Sequence, residues 1–142
     1  NVHSLFEFPF SIPAEGVEFS RIVTDAQKII VNSGDVESGC IIKLFSTGEV
    51  VNPVIYDIEK QISFGINIKM QPKDTIIINT NVGEKGITLI RGGVSSNILG
   101  YMMRNSSWLT LEAGDNAFGY RCDSGDNMLQ ITFTTDILYS GV

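Results

Sequence analysis

Ile62-Ser63-Phe64-Gly65-Ile66-Asn67-Ile68 places apolar residues at every even position and small or polar ones at every odd position. A period of two sends alternate side chains to opposite faces, so this stretch reads as a strand with one face in a core and one in water. Pro72-Lys73-Asp74 stops it, and Thr75-Ile76-Ile77-Ile78-Asn79 follows. Ile76-Ile77-Ile78 is apolar on both faces, so that strand is expected to be covered twice or to lie at an interface. Leu129-Gln130-Ile131-Thr132-Phe133-Thr134 repeats the alternation with its odd positions apolar.

Outward from these segments the same grammar continues. Short runs rich in β-branched and aromatic residues are cut roughly every eight to twelve residues by Gly, Asn, Asp or Pro. Lys28–Val31, Cys40–Phe45, Val54–Tyr56, Ile62–Ile68, Thr75–Asn79, Ile87–Ile90, Trp108–Leu111, Ala117–Cys122 and Met128–Phe133 give nine candidate strands. No convincing helix separates them, which points to an all-β fold, a two-sheet antiparallel sandwich, over a βαβ sheet. Val94–Asn105 competes as a helix, but Gly92-Gly93 and Ser106-Ser107 bracket it and Gly100 interrupts it. It reads as a crossing loop with one helical turn, whose apolar residues cap the end of the sandwich. Gly83-Glu84-Lys85-Gly86 reads as a hairpin tip, since it lacks the strand–loop–helix setting and the Lys-Ser/Thr ending of a phosphate loop.

The chain of 142 residues has the length of one domain. With 43% hydrophobic residues it can build a core without staples. Lys and Arg total 10 against 16 Asp and Glu, a net charge of −6. That balance argues against nucleic-acid partners and against anionic membrane surfaces, both of which need a basic face. The apolar runs are far too short to span a bilayer. At the N-terminus, Glu7, Pro9 and Pro13 break what would be a signal-peptide core. A chain beginning Asn-Val-His reads as a piece of something longer.

Chemistry is sparse. The one histidine, His3, has no partner at a fixed spacing and reads as a solvated residue. No catalytic residue is assigned, because nucleophilic catalysis needs a Ser or Cys beside a base. No metal site is assigned either, since zinc takes three or four protein ligands and only Cys40, Cys122 and His3 offer soft donors. The cysteines read as reduced, buried thiols. Asp123-Ser124-Gly125-Asp126-Asn127 resembles an oxygen-rich calcium loop, yet the same residues are ideal turn chemistry. No cofactor is expected. Trp108 shares a face with Thr110, opposite Leu109 and Leu111. It could stack on a sugar ring or a partner protein, or simply cover the sandwich edge or lie beneath the 94–105 loop.

The order of turns is more specific than the composition. It runs Asn32-Ser33-Gly34-Asp35, then Asn52-Pro53-Val54-Ile55, then Asp74-Thr75-Ile76-Ile77-Ile78-Asn79-Thr80. Ser107-Trp108-Leu109-Thr110-Leu111-Glu112-Ala113-Gly114-Asp115-Asn116 follows, and Tyr139-Ser140-Gly141-Val142 ends the chain. In this order the set resembles the C-terminal domain of the distal tail protein of siphovirus-type bacteriophages and prophages, over roughly Phe19 to Val142. Three positions depart from that family's pattern. Lys73 stands where Gly usually precedes the Asp, Asn79 replaces an Asp, and Ala113 replaces a Pro.

The resemblance implies a galectin-like, jelly-roll-like or carbohydrate-module-like β-sandwich over residues 19–142. Residues 1–18 would be a linker leaving an upstream belt domain, which forms a hexameric ring in the full-length protein; the isolated domain would be monomeric. It further implies a structural component of the virion tail tip, made in the bacterial host cytoplasm, that docks neighbouring baseplate or receptor-binding proteins and is not an enzyme. The alternative is a carbohydrate-binding module for host surface polysaccharide, with Trp108, Tyr101 and Tyr120 as stacking platforms. A hydrolase on the same scaffold would need two carboxylates brought together in a cleft.

Overall fold

The computed structural model describes residues 3–8, 28–32 and 36–138, with side chains for Ile29 and for residues 36–135. Twelve strands and two short 3-10 turns make up these residues, with no α-helix among them. In chain order the strands are β1 His3–Phe8, β2 Lys28–Asn32, β3 Ile41–Ser46, β4 Val50–Val51, β5 Val54–Asp57 and β6 Ile62–Gly65. Then come β7 Lys69–Met70, β8 Thr75–Asn79, β9 Gly86–Arg91, β10 Val94–Asn97, β11 Gly114–Arg121 and β12 Leu129–Leu138. They form a six-stranded sheet in the order β1-β12-β3-β8-β9-β10, a four-stranded sheet β2-β11-β5-β6, and the small pair β4-β7. Every pairing is antiparallel.

The core is the alternate side chains of the two large sheets. Ile42 and Leu44 of β3, Ile76 and Ile78 of β8, and Ile131 and Phe133 of β12 face Phe118 and Tyr120 of β11 and Phe64 of β6, all buried. Phe118 and Phe133 stack across the seam, ring centroids 4.7 Å apart at 28°. That contact joins the two sheets, so the all-β sandwich expected from the alternation is what forms.

Several local differences have clear causes. The alternation of Ile62–Ile68 persists, with Phe64, Ile66 and Ile68 buried, but the strand changes partner. β6 ends at Gly65, Ile66 bridges to Met102, and Ile68 accepts a hydrogen bond from the Asn52 N–H (2.7 Å). The expected crossing loop begins as a strand. Gly92 and Gly93 have φ of 58° and 78°, the left-handed pair a two-residue hairpin turn requires, and Arg91 and Val94 pair across it. The one helical turn is the 3-10 turn Leu99–Tyr101. Trp108–Leu111 is not a ladder strand; only Leu111 forms a bridge, to Ser38. His3–Phe8 lies within the stretch read as a linker, yet it runs beside β12 in the six-stranded sheet. The side chain of His3, the turn at residues 33–35 and the terminal Tyr139-Ser140-Gly141-Val142 lie outside the described residues.

The turn between β7 and β8 shows what one departure from the family pattern costs. Asp74 N–H donates to the Gln71 carbonyl (3.0 Å), with Pro72 and Lys73 between them and Lys73 at φ 69°. That is a type II turn with Pro at its second position, and its third position favours Gly. Lys73 is exposed, so nothing in its side chain repays the left-handed backbone. Lys73→Gly is therefore expected to stabilise the fold by about 0.5–1 kcal/mol, less than the full left-handed cost because Gly also loosens the unfolded chain. Denaturant titration checks this; a lower midpoint for the glycine variant would contradict it.

Candidate functional site

The residues singled out as stacking platforms do not converge. Tyr120 sits on β11 in phase with Phe118, is fully buried, and donates its hydroxyl to the Asp126 carbonyl at 2.7 Å. Burial pushes its phenol well above the ordinary tyrosine range. Tyr120 is a core residue and offers no face to a ligand. Tyr101 closes the 3-10 turn and is 50% exposed, and its carbonyl accepts the Asn67 N–H at 2.8 Å.

Trp108 is partly buried and packs against the core. Its ring lies 4.9 Å from that of Phe64, tilted by 48°, and the Lys85 ammonium stands 5.9 Å from its centroid. The backbone around it is fastened to β6: Met103 N–H donates to the Gly65 carbonyl (2.8 Å) and Ser107 N–H to the Ser63 carbonyl (2.8 Å). Trp108 thus closes the free edge of the four-stranded sheet, with ring neighbours already in place. Leu109 and Leu111, on the opposite side of the segment, are fully buried.

Beside this edge, Lys60 draws three segments together. Its ammonium lies 2.8 Å from Glu112, 3.3 Å from Glu37 and 3.2 Å from the Thr110 hydroxyl, and that hydroxyl donates to Glu37 at 2.6 Å. The Thr110 hydrogen bond, with Lys60, holds the Glu37 carboxyl below its usual range. A cleft of about 430 Å³ opens next to it, lined by Asp57, Glu59, Lys60, Glu112, Asp115 and Asn116. Among the described residues no group of three or more His, Cys, Asp or Glu is placed to hold a metal ion. No helix among them is long and apolar enough to cross a membrane.

Among the described residues, Asn116, Asn79 and Asn52 of the turns that carried the family resemblance are structural supports. The buried Asn116 amide donates to the Glu112 and Gly114 carbonyls (2.9 and 3.1 Å) while its oxygen accepts the Glu112 N–H (2.8 Å), fixing the turn into β11. Asn79 accepts the Asn81 N–H at 3.0 Å, a role its oxygen fills as well as an aspartate would. Asn52, at φ 53°, donates its amide to Asp123 at 2.9 Å, and Asp123 also meets Arg121. Gly125 is left-handed at φ 82°, and any Cβ there would collide with the Glu49 carbonyl, so Asp123–Asn127 is held as a turn.

Both cysteines are free and buried. Burial pushes the Cys40 thiol up to about 11 and raises Cys122 further still, so neither is a nucleophile at neutral pH.

Comparison with known proteins places this architecture. The fold is similar to the crystal structure of SPP1 Dit, described as a paradigm of the hub adsorption apparatus in phages that infect Gram-positive hosts. The TM-score is 0.62 at 8% identity, over 97% of this chain and 48% of that one. It is also similar to a chain of the phage P2 baseplate in its activated conformation with Ca, with TM-score 0.51, 10% identity, and coverage of 93% of this chain and 52% of that one. At such identities the likeness is one of fold, and the chain spans about half the length of each. No curated protein matches it. The sequence of residues 33–136 matches the family described as siphovirus-type tail component, C-terminal domain. That match covers most of the chain and the same turns that the structure shows fixing the sandwich, so this chain belongs to the siphovirus-type tail component family.

Proposed function

We propose that this domain is a structural arm of a phage or prophage tail tip that docks neighbouring baseplate or receptor-binding proteins. The observation that carries the reading is the family match over residues 33–136. The likeness of the fold to hub and baseplate chains twice its length supports it. In this reading the sandwich follows an upstream belt domain, with residues 1–18 at the junction and β1 already laid into the sheet. The full-length protein assembles as a hexameric ring at the virion tail tip, after synthesis in the host cytoplasm, and the isolated domain is monomeric. It works without catalysis. Light scattering of the full-length protein tests this: a mass of six copies supports the ring, and a stable monomer at assembly concentrations sinks it.

The docking reading and the sugar-binding alternative make opposite forecasts for Trp108, and the docking forecast follows from its packing. Because the ring packs on Phe64 and sits beneath Lys85, Trp108→Ala is expected to cost about 2 kcal/mol, below the ~3–5 of a fully buried tryptophan. Binding to host cell-wall polysaccharide is expected to be the same before and after the change. An unchanged melting temperature together with lost polysaccharide binding would instead favour the carbohydrate module.

A further inference from the structure

The chain covers the edge of one large sheet and leaves the edge of the other open. At β6 the Gly65 and Ser63 carbonyls accept the Met103 and Ser107 N–H groups (2.8 Å each), and the Gly65 N–H donates to the Ser106 hydroxyl at 3.0 Å. At β10, Val94-Ser95-Ser96-Asn97, no described residue plays that part, and all four residues are exposed. Arg91 and Val94 close the two-residue turn, and the Ile98 N–H donates to the Ile87 carbonyl at 2.9 Å. Residues 94, 96 and 98 therefore bond to β9. Ser95 and Asn97, in the alternate phase, turn their backbone N–H and C=O outward, and no described residue pairs with these groups. Sheets ordinarily blunt such an edge with Pro, Lys, a bulge or a covering loop. β10 has none of these: its register with β9 is unbroken, and it carries no charge. Apolar side chains stand exposed at both its ends, Val94 at 69% and, just beyond Asn97, Leu99 at 40% and Tyr101 at 50%.

We propose that β10 takes up an extended segment of a neighbouring tail protein as a seventh strand of its sheet. The proposal rests on the docking reading above. The backbone identifies the occupant: outward N–H and C=O groups repeating along an extended edge are matched in spacing by another extended chain. Val94, Leu99 and Tyr101 offer cover to apolar side chains of that segment. A second copy of the same edge fits less well. Two β10 strands side by side meet over about 13 Å, far short of the roughly 1,000 Å² that a stable pair of free proteins buries. A segment of a protein already held in the tail needs much less, because its other contacts keep it at high local concentration.

Hydrogen–deuterium exchange of the full-length protein, free and within intact purified tails, tests this. The Ser95 and Asn97 amides are expected to exchange readily in the free protein and at least about tenfold more slowly in tails, while the Ser96 amide, bonded to β9, changes little. Ser95→Pro removes an outward N–H that β9 does not use. It is expected to keep the melting temperature while lowering retention of the neighbour in purified tails about tenfold. Ser95→Ala keeps the N–H and is expected to retain the neighbour. The exchange is read on the wild-type chain, so it decides the matter even if the proline variant folds poorly. Slow exchange of Ser95 and Asn97 already in the free full-length protein would make the occupant part of that protein and overturn the proposal. A folded Ser95→Pro that retains every neighbour would overturn it too. Fast exchange of both amides in tails, with protection elsewhere in residues 36–135, would overturn the edge and leave docking standing. No protection anywhere in the domain would remove the docking reading itself.

Discussion

Phe118→Ala is expected to destabilise the domain by about 3–5 kcal/mol, a large share of the total stability of a domain this size. Phe118 is fully buried and lies on β11 of the four-stranded sheet, while its stacking partner Phe133 lies on β12 of the six-stranded sheet. Truncation therefore removes ring–ring contact and opens a cavity at the seam that holds the layers together, where close-packed neighbours on both sides relax little. Phe45 gives the internal control. It is the same residue type on the outer face of β3, partly exposed, and its loss leaves no sealed cavity. Phe45→Ala is expected to cost less than about 1.5 kcal/mol, in line with its partial burial. Urea titrations of the two variants separate the cases; equal costs would mean that the two sheets are not packed as described.

The second large effect belongs to Arg91→Ala, expected to cost about 2–3 kcal/mol at neutral pH, because the buried carboxylate loses its partner while the half-exposed arginine leaves a gap that water can enter. Asp74 is buried, its side chain 2% exposed, and Arg91 grips it through Nη2 at 2.6 Å and Nε at 3.0 and 3.1 Å; the Gln71 N–H adds a bond of 2.8 Å. Removing Arg91 leaves a carboxylate in the protein without its counter-charge. Removing Asp74 instead frees an arginine that is already 44% exposed and can rehydrate, so the reverse truncation costs less. The hydrogen bonds from Arg91 hold the Asp74 carboxyl below the ordinary aspartate range in the folded protein. A depressed folded value means that the pair's stabilisation is fully present above the unfolded carboxyl's pKa, about 3.9. It is lost as the pH falls through the lower folded value. The gap between wild type and Arg91→Ala is thus expected to be widest near neutrality and to narrow below about pH 4. A gap independent of pH would contradict the role assigned to the pair.

The sandwich was legible where alternation is strict. Ile62–Ile68 and Leu129–Thr134 each bury the parity their sequence marks, and the Gly83–Gly86 tip lies where the turn chemistry puts it, between β8 and β9. Where strands are polar or short the pattern has nothing to grip. Val94-Ser95-Ser96-Asn97 has one apolar residue and became β10 because Gly92-Gly93 turns the chain back on β9; that dipeptide was the available signal. Leu109 and Leu111 alternate like a strand, but the segment is tied down by one isolated bridge to Ser38 and one hydrogen bond to Ser63 and never joins a ladder.

The stacking residues were harder to judge from residue type. Tyr120 is an aromatic that could serve as a stacking platform, yet it shares parity with Phe118 and its hydroxyl finds its partner in the Asp126 carbonyl. Parity outweighs the hydroxyl once a carbonyl lies within reach. The family turns were legible as a signature and not as a mechanism. Asn116 and Asp74 turn out to satisfy backbone groups and Asn52 to meet the Asp123 carboxylate, which is why a turn order can identify a fold while naming no binding site. Lys60, Glu37 and Glu112 converge only through long-range folding, with no spacing in the sequence to announce them.

Electron microscopy of intact tails carrying the full-length protein tests the central claim most directly. The account expects this sandwich at the tail tip, repeated six times around the axis and in contact with a different tail protein. A tail tip without this domain, or a full-length protein that remains monomeric outside the virion, would contradict it.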